Sequence, residues 1–475
     1  MYRLIKLKPQ SNLLPRYIIT TMQLTKKILA STKNIHFQSL LGNGITAVFG
    51  LAIISILYRS LSTNDIDIYV LFLTIFGFVD TFRSGFLTFA FIKFYTGTNV
   101  EKAREIAGSA WCLALLITAG LVVINVIVLV FSAWISDSGD LFFLKYFSWV
   151  FLAGLPFFMG SLIVQGEKRF DRLLRLKLVS QILFAAFVAA LAISRKTNLN
   201  EVLLAYVFSN LASSLVAIFC GWTRIGTIKY ATKKTIAELF HFGKYSLGTN
   251  LSATLFRVTD VFFLKFLGEG ALAVYFLGGR LTQIVEIPLG SFVGSGMPLL
   301  SDLYNKDKKD EMMLLMKKMV GMVSIALVIV ALVSIVFADP IIMLIGGKKF
   351  INSEAPNLFR IFMSLAIFYP ADRFFAVTLD VIHKPKINFH KILVMLAINL
   401  IADYIGLTFF KSVYAIALAN IFPSLAAIII AYIPINKYAS FNFWNMYVEG
   451  FKESILLIKS TGKMLFGGDN SLNKV

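Results

Sequence analysis

Long apolar runs, broken by short charged or turn-rich gaps, dominate the chain. Roughly 20 apolar residues carry a helix once across the hydrocarbon core of a bilayer. On that scale the runs fall at residues 36–58, 67–92, 107–135, 141–165, 177–193, 201–222, 245–266, 271–299, 319–338, 355–380, 389–410 and 413–434. The pattern predicts an all-α integral membrane protein of about 12 transmembrane helices, numbered here first to twelfth. The gaps are short, and the longest on the outer side runs from Asp339 to Glu354. No catalytic domain fits there. Residues 1–33 are basic and lack a small-residue cleavage site, so no signal peptide is read, and Met22 opens a more typical lead-in.

Composition supports the same class. Hydrophobic residues make up 57% of the chain and charged residues 15%, against about 45–50% and about 25% in soluble domains, which excludes a soluble enzyme. A net charge of +20 would point to nucleic acid in a soluble protein, but here position decides. The two tails and the loops after even-numbered helices hold 33 Lys and Arg, whereas the loops after odd-numbered helices hold 7. That bias places both termini in the cytoplasm and makes the number of crossings even. It leaves membrane lipids, and no nucleic acid, as the partner of the charge.

The chain also resembles itself. A shift of 206 residues aligns Leu61 with Leu267, Tyr69 with Tyr275, Val79 with Val285, Phe86 with Phe292, Asn99 with Asn305, Lys102 with Lys308 and Glu105 with Glu311. The same shift lays Asp80 over Glu286, and Pro156 of the fourth helix answers Pro370 of the tenth. Each half opens with an asparagine, Asn43 and Asn250, one residue out of register. Six helices return the chain to its starting side, so the repeat is parallel, and it implies two six-helix lobes with a cavity between them. The domains expected are a tail (1–33), an N-terminal lobe (34–223), a linker (224–240) with the composition of a surface amphipathic helix, a C-terminal lobe (241–434) and a cytoplasmic C-terminal tail (435–475), itself read as a surface helix.

Charged residues inside apolar helices are costly and mark cavities or ion pairs. The second helix has Asp80 and Arg83, and the seventh has Arg257 and Asp260, each pair at i, i+3 spacing that lets the partners meet. The eighth adds Arg280 and Glu286, the tenth Asp372 and Arg373, and the eleventh Asp403. Two readings stand for them, lobe-stapling ion pairs or groups converging on the cavity. Arg59, Lys145, Lys265 and Arg360 lie near helix ends and read as interfacial anchors. The stretch IPLGSFVGSGMPLL, with Pro288, Gly290, Gly294, Gly296 and Pro298, reads as a bendable gate or as close packing. Asp65 and Asp67 in STNDID read as solvated loop carboxylates. Cys112 and Cys220 read as small apolar fillers, and the histidines as interfacial. No phosphate-binding GxxxxGK[ST] pattern, CxxC pair or HExxH is present, so neither a cofactor nor a metal is expected.

The opening NGITAVFGLAIISILYRSLSTNDIDIYVLFLTIFGFVD, with its early Asn, Arg59, Ser60 and Leu61 at the helix exit and Tyr69 beyond, resembles bacterial polysaccharide flippases of the multidrug, oligosaccharidyl-lipid and polysaccharide exporter superfamily; TDVFFLKFLGEGALAVYFLGGRL repeats the theme. The resemblance implies a carrier in the bacterial inner membrane that turns undecaprenyl-pyrophosphate-linked oligosaccharide repeat units to the outer leaflet by alternating access, working beside polysaccharide polymerase machinery. It further implies that the first, second, seventh and eighth helices line the cavity. Arg83, Arg257 and Arg280 would then meet the pyrophosphate, with Asp80, Asp260 and Glu286 as supporting or proton-coupling acids and Asn43, Asn250, Asp372 and Arg373 as secondary candidates. The alternative within the superfamily is a multidrug cation antiporter, whose cavity would be rich in acids and aromatics. A membrane-embedded glycosyltransferase or polymerase would need an outer loop or acidic motif that the chain lacks.

Overall fold

In the computed structural model the described residues are 35–135, 137–195 and 197–466, and their regular structure is helical throughout. The N-terminal half contributes α1 (Ile35–Ser60), α2 (Thr63–Tyr95), α3 (Val100–Val130), α4 (Ser138–Ala153), α5 (Leu155–Gly166), α6 (Phe170–Ile193) and α7 (Leu199–Phe219). The C-terminal half contributes α8 (Lys233–Leu264), α9 (Ala271–Arg280), α10 (Gln283–Asn305), α11 (Lys309–Val336), α12 (Ala338–Gly346), α13 (Ala355–Leu365), α14 (Tyr369–Val381), α15 (Pro385–Ile405), α16 (Val413–Ala419), α17 (Ile421–Tyr438) and α18 (Asn445–Phe466).

Nine helical segments among the described residues are long and apolar enough to cross a membrane, and α4 with α5, bent by 44°, makes a tenth. The chain is therefore a multi-span membrane protein. The first and seventh runs of the sequence pattern are not among the ten. The described apolar part of α1 is Gly44–Ser60, and α8 is too polar, with Lys244, Arg257 and Asp260 along it. α8 also starts earlier than expected: it runs unbroken from Lys233, through residues assigned to the linker, because Thr232 accepts a hydrogen bond from the Thr235 amide and caps it.

The eighth run is two helices, α9 and α10, which meet at Leu281–Thr282. The fourth and tenth are likewise broken where their prolines stand. Pro156 is the second residue of α5 and Pro370 the second residue of α14, positions where a missing amide costs nothing. Carbonyls near the α4–α5 bend find other donors: the Ser214 hydroxyl donates to Ala153 O at 2.5 Å and Arg83 Nη1 to Phe151 O at 3.2 Å.

The halves meet chiefly where α2 lies along α8, whereas α1 touches α10 lightly. Gly243 permits the approach, since a Cβ there would stand 2.6 Å from Phe86 O. Above it the Ser246 hydroxyl donates to Gly85 O at 2.8 Å, and Thr81 pairs with Thr254 at 3.3 Å. Inside the N-terminal half, Phe76 stands edge-on to Phe147, Phe151 and Tyr206, so α2, α4 and α7 are held by aromatic packing. The surface helix expected in the C-terminal tail is docked as α18 on α11. Gly450 meets Gly321 backbone to backbone, and Lys318 pairs with Glu453 at 2.7 Å.

Candidate functional site

Between α2, α8, α9 and the start of α10 lies a cavity of about 510 Å³, within the roughly 300–1,000 Å³ range of small-molecule sites. α2 supplies Thr74, Gly77, Phe78 and Thr81, and α8 supplies Thr254 and Arg257. α9 and the turn after it supply Tyr275, Phe276, Arg280, Thr282, Gln283 and Glu286. Both halves of the chain thus build one wall each, and its two cations come from the C-terminal half.

Neither cation is neutralised. No carboxylate stands within 4.0 Å of Arg257 or Arg280 among the described residues, and Arg280 Nε is buried without a hydrogen-bond partner. The Arg280 guanidinium lies 5.9 Å from the Phe276 ring centre. It reaches toward α1 at Gly50, where a Cβ would be 3.2 Å from its terminal nitrogen. A guanidinium with idle donors in a partly dry recess is a site for an anion that can take them in pairs. Glu286 is exposed at the rim and pairs with neither arginine.

Arg83 is elsewhere. Its side chain is 5% exposed and turns into the N-terminal half, with Nη2 2.6 Å and Nε 3.1 Å from Asp80 Oδ1 and the guanidinium carbon 3.9 Å from the Phe151 ring centre. The expectation that it lines the cavity with Arg257 and Arg280 is corrected: the i, i+3 pair satisfies itself within one lobe-sized half. The same spacing fails on α8. Asp260 does not meet Arg257: its carboxylate takes partners within the C-terminal half, while Arg257 lines the cavity.

There Asp260 joins a buried polar cluster that the sequence reading did not assemble. The Tyr275 hydroxyl and Asn420 Nδ2 donate to its Oδ2, the latter at 2.9 Å, and Asn399 Nδ2 donates at 2.9 Å both to Asp260 Oδ1 and to Asp403 Oδ2. Asn399 and Asp403 are fully buried, and Asn399 Oδ1 and Asp403 Oδ1 have no partner. Two carboxyl groups share an amide, with no basic side chain within ion-pair distance of either among the described residues. Two carboxylates side by side in a dry interior repel one another, at a cost of several kcal/mol unless a positive charge accompanies them. The clue in the sequence was Asn399 and Asp403 one turn apart on an otherwise apolar helix.

The secondary candidates scatter. Asp372 pairs with Lys391, itself 4% exposed, at 2.6 Å, and Arg373 is exposed. Asn250 folds back on Ser246 O at 2.8 Å and packs against α2 at Gly85. The side chain of Asn43 lies outside the described residues. Three supposed lipid anchors are tied to protein instead. Arg59 donates to Leu344 O at 2.6 Å, Lys265 pairs with Asp140 at 2.8 Å and Asp137 at 3.2 Å, and Arg360 pairs with Asp339 at 2.5 Å. Asp67 is not solvated. It is 8% exposed and accepts hydrogen bonds from the Gly270 and Ala273 amides across the two halves.

Comparison with known proteins gives this geometry a context. A family model described as "Polysaccharide biosynthesis protein" matches residues 56–355. No curated protein matches the chain. Among solved structures, an inward-facing multidrug resistance MATE family transporter of the MOP superfamily superposes with a TM-score of 0.70 at 14% identity, covering 83% of this chain and 96% of its own. The lipid II flippase MurJ in an inward closed conformation gives 0.68 at 15% identity, covering 90% and 99%. A MOP superfamily transporter from Pyrococcus furiosus, described as having a binding pocket of reverse polarity, gives 0.56 at 13% identity, covering 86% and 95%. At these identities the likeness concerns the fold alone, which these solved structures share with the chain.

Proposed function

The chain belongs to the polysaccharide biosynthesis protein family, and from that premise we propose that it is a flippase for undecaprenyl-pyrophosphate-linked oligosaccharide repeat units, carrying them from the inner to the outer leaflet by alternating access. The observation that carries the reading is the pair of uncompensated cations, Arg257 and Arg280, in a cavity to which both halves contribute. Pyrophosphate brings at least two negative charges, and moving it through a low-dielectric core requires countercharge that stays ionised. Arginine does so and binds phosphate oxygens in pairs. Thr254 and Gln283 add neutral donors for sugar hydroxyls, and Thr74 and Thr81, whose own hydroxyls donate to the Val70 and Gly77 carbonyls, can accept from them.

The ten spans, together with α1 and α8, make twelve crossings in two six-helix lobes in this reading, with both termini cytoplasmic in the bacterial inner membrane as the basic bias requires. The end where α1 turns into α2 is then outer. Its cross-links leave the cavity closed to the outside, the state that receives a lipid headgroup from the inner leaflet. Asp260 with Asp403 is the pair placed to take up and release a coupling proton, since it adjoins Tyr275 of the cavity wall. Arg83 and Asp80 are structural.

A multidrug cation antiporter, the alternative on the same fold, fits less well. Its cavity would need acids, and here Glu286 alone faces two arginines. The test is genetic. In a strain lacking the native flippase, Arg280→Ala and Arg257→Ala expressed at wild-type membrane levels should leave the surface polysaccharide absent, and Lys at either position should restore part of it. Wild-type polysaccharide from both Ala variants would reject the reading.

A further inference from the structure

The cavity arginine and the outer closure sit at opposite ends of one short rigid element. α9 is ten residues long, and at 1.5 Å per residue spans about 15 Å. Arg280, its last residue, reaches the cavity. Its first turn has no cap of its own, because the preceding residue is Gly270, held at φ 86°. The cap comes from the other half of the molecule. Asp67, on the first turns of α2, places Oδ2 2.5 Å from the Gly270 amide and Oδ1 2.6 Å from the Ala273 amide.

This arrangement is unusual in kind. An N-cap is ordinarily local, within three residues of the amides it satisfies, and α2 has a local one in Ser62, which accepts from the Asp65 amide. Asp67 instead spends its carboxylate on a helix more than 200 residues away, with no basic side chain within ion-pair distance among the described residues. Its charge is stabilised by two amides and the positive end of the α9 dipole. The contacts around it also join the two halves: the Tyr58 hydroxyl donates to Ala273 O at 2.9 Å, Lys349 Nζ to Leu61 O at 2.6 Å and Arg59 to Leu344 O at 2.6 Å.

We propose that Asp67 is a positioning residue that ties occupancy of Arg280 to the opening of the outer end, with α9 as the rigid link. While Arg280 is free, α9 rests with its first turn on Asp67 and the outer end is closed. When a pyrophosphate takes the Arg280 donors, α9 moves as a body and its first turn leaves the carboxylate. Water then solvates both the carboxylate and the amides, so the latch opens without leaving a buried charge unpaired. Loss of one charged cap is worth about tenfold in the open-to-closed ratio, enough to bias the equilibrium and small enough for a ligand to reverse. The proposal rests on the alternating-access reading given above.

The test uses full-length protein in liposomes, with Cys112 and Cys220 replaced by Ala and spin labels at Asn64→Cys and Glu269→Cys, two exposed positions flanking the latch. Distances are recorded with and without undecaprenyl pyrophosphate. In the otherwise unchanged protein the short distance should dominate and the lipid should raise the long one. Asp67→Ala should raise the long population about tenfold without lipid and blunt the response. Tyr58→Phe, which loses a single hydroxyl, should shift it the same way by less. Arg280→Ala should keep the short distance and ignore the lipid. Unchanged distributions in both Asp67→Ala and Tyr58→Phe would overturn the latch even where the unmodified latch still responds to lipid. If Asp67→Ala opens the outer end but the lipid moves nothing in any sample, the latch stands as a closure, and its tie to Arg280 and the substrate reading both fall.

Discussion

Arg83 lies 2.6 Å from Asp80, one turn earlier on α2, and its guanidinium rests on Phe151 with Nη1 donating to the Phe151 carbonyl. Both charges are thereby kept within the N-terminal half. Removing Arg83 leaves Asp80, whose side chain is 27% exposed, without its partner, and also empties the buried space the guanidinium fills, at a cost of about 1–3 kcal/mol. Arg83→Ala should therefore reduce the amount of folded protein in the membrane and lower its melting temperature. A double change to Asp80→Leu and Arg83→Met should recover most of that stability, as measured by thermal unfolding in detergent.

The approach of α2 to α8 yields a second expectation. A side chain at Gly243 would drive its Cβ to 2.6 Å from Phe86 O, which is backbone and cannot step aside. Gly243→Val should destabilise the protein by about 1–3 kcal/mol through overpacking. Gly248→Ala, five residues along the same helix in open space, should leave the melting temperature within a degree or so of the unchanged protein.

Much of this was legible in the sequence, for identifiable reasons. Apolar length reports bilayer thickness directly, and every one of the twelve runs contains a helix. The breaks in the fourth and tenth helices at Pro156 and Pro370 were not read, because those prolines served only to align the two halves, although a missing amide disfavours a regular interior turn. Spacing alone misled where a helix face had two possible neighbours. The i, i+3 rule brought Arg83 to Asp80 and failed for Arg257 and Asp260, because Tyr275, Asn399 and Asn420 from other helices offer Asp260 better partners. Asp67 looked like a loop acid since its partners are backbone amides, which leave no trace in a sequence.

The Asp260 and Asp403 cluster predicts a pH response. If one proton accompanies the pair and leaves during the cycle, Asp403→Asn should keep the hydrogen bond from Asn399 while fixing the charge, and transport should lose its dependence on an imposed pH gradient. Turnover that still follows the gradient in Asp403→Asn and in Asp260→Asn would assign coupling to another group.

Lys265 sets a contrasting expectation at the end of the molecule where it pairs with Asp137 and Asp140. Burial acts to lower its pKa, but the hydrogen bonds to Asp140 and Asp137 outweigh this and hold it above the ordinary lysine value. For Asp137 burial acts upward, and the Asp140 amide and Lys265 hold it below the usual carboxylate range. The lysine's contribution is complete below its unfolded pKa, about 10.4, and is lost only as pH rises through the elevated folded value. That of Asp137 is present above about pH 3.9 and lost as pH falls through its lowered one. Between these limits the clamp is insensitive to pH, so Lys265→Met should shift the outer-end distance equally at pH 5.5 and pH 8.5.

Most direct for the central claim is a flipping measurement in liposomes holding the purified protein and a fluorescent undecaprenyl-pyrophosphate-linked oligosaccharide, with outer-leaflet lipid quenched over time. Pyrophosphate-linked lipid should cross at a rate that falls at least tenfold in Arg280→Ala and in Arg257→Ala, recovers in part with Lys, and is unaffected by a cationic drug. Equal rates in the unchanged protein and both Ala variants, or transport of the cationic drug in place of the lipid, would contradict the account.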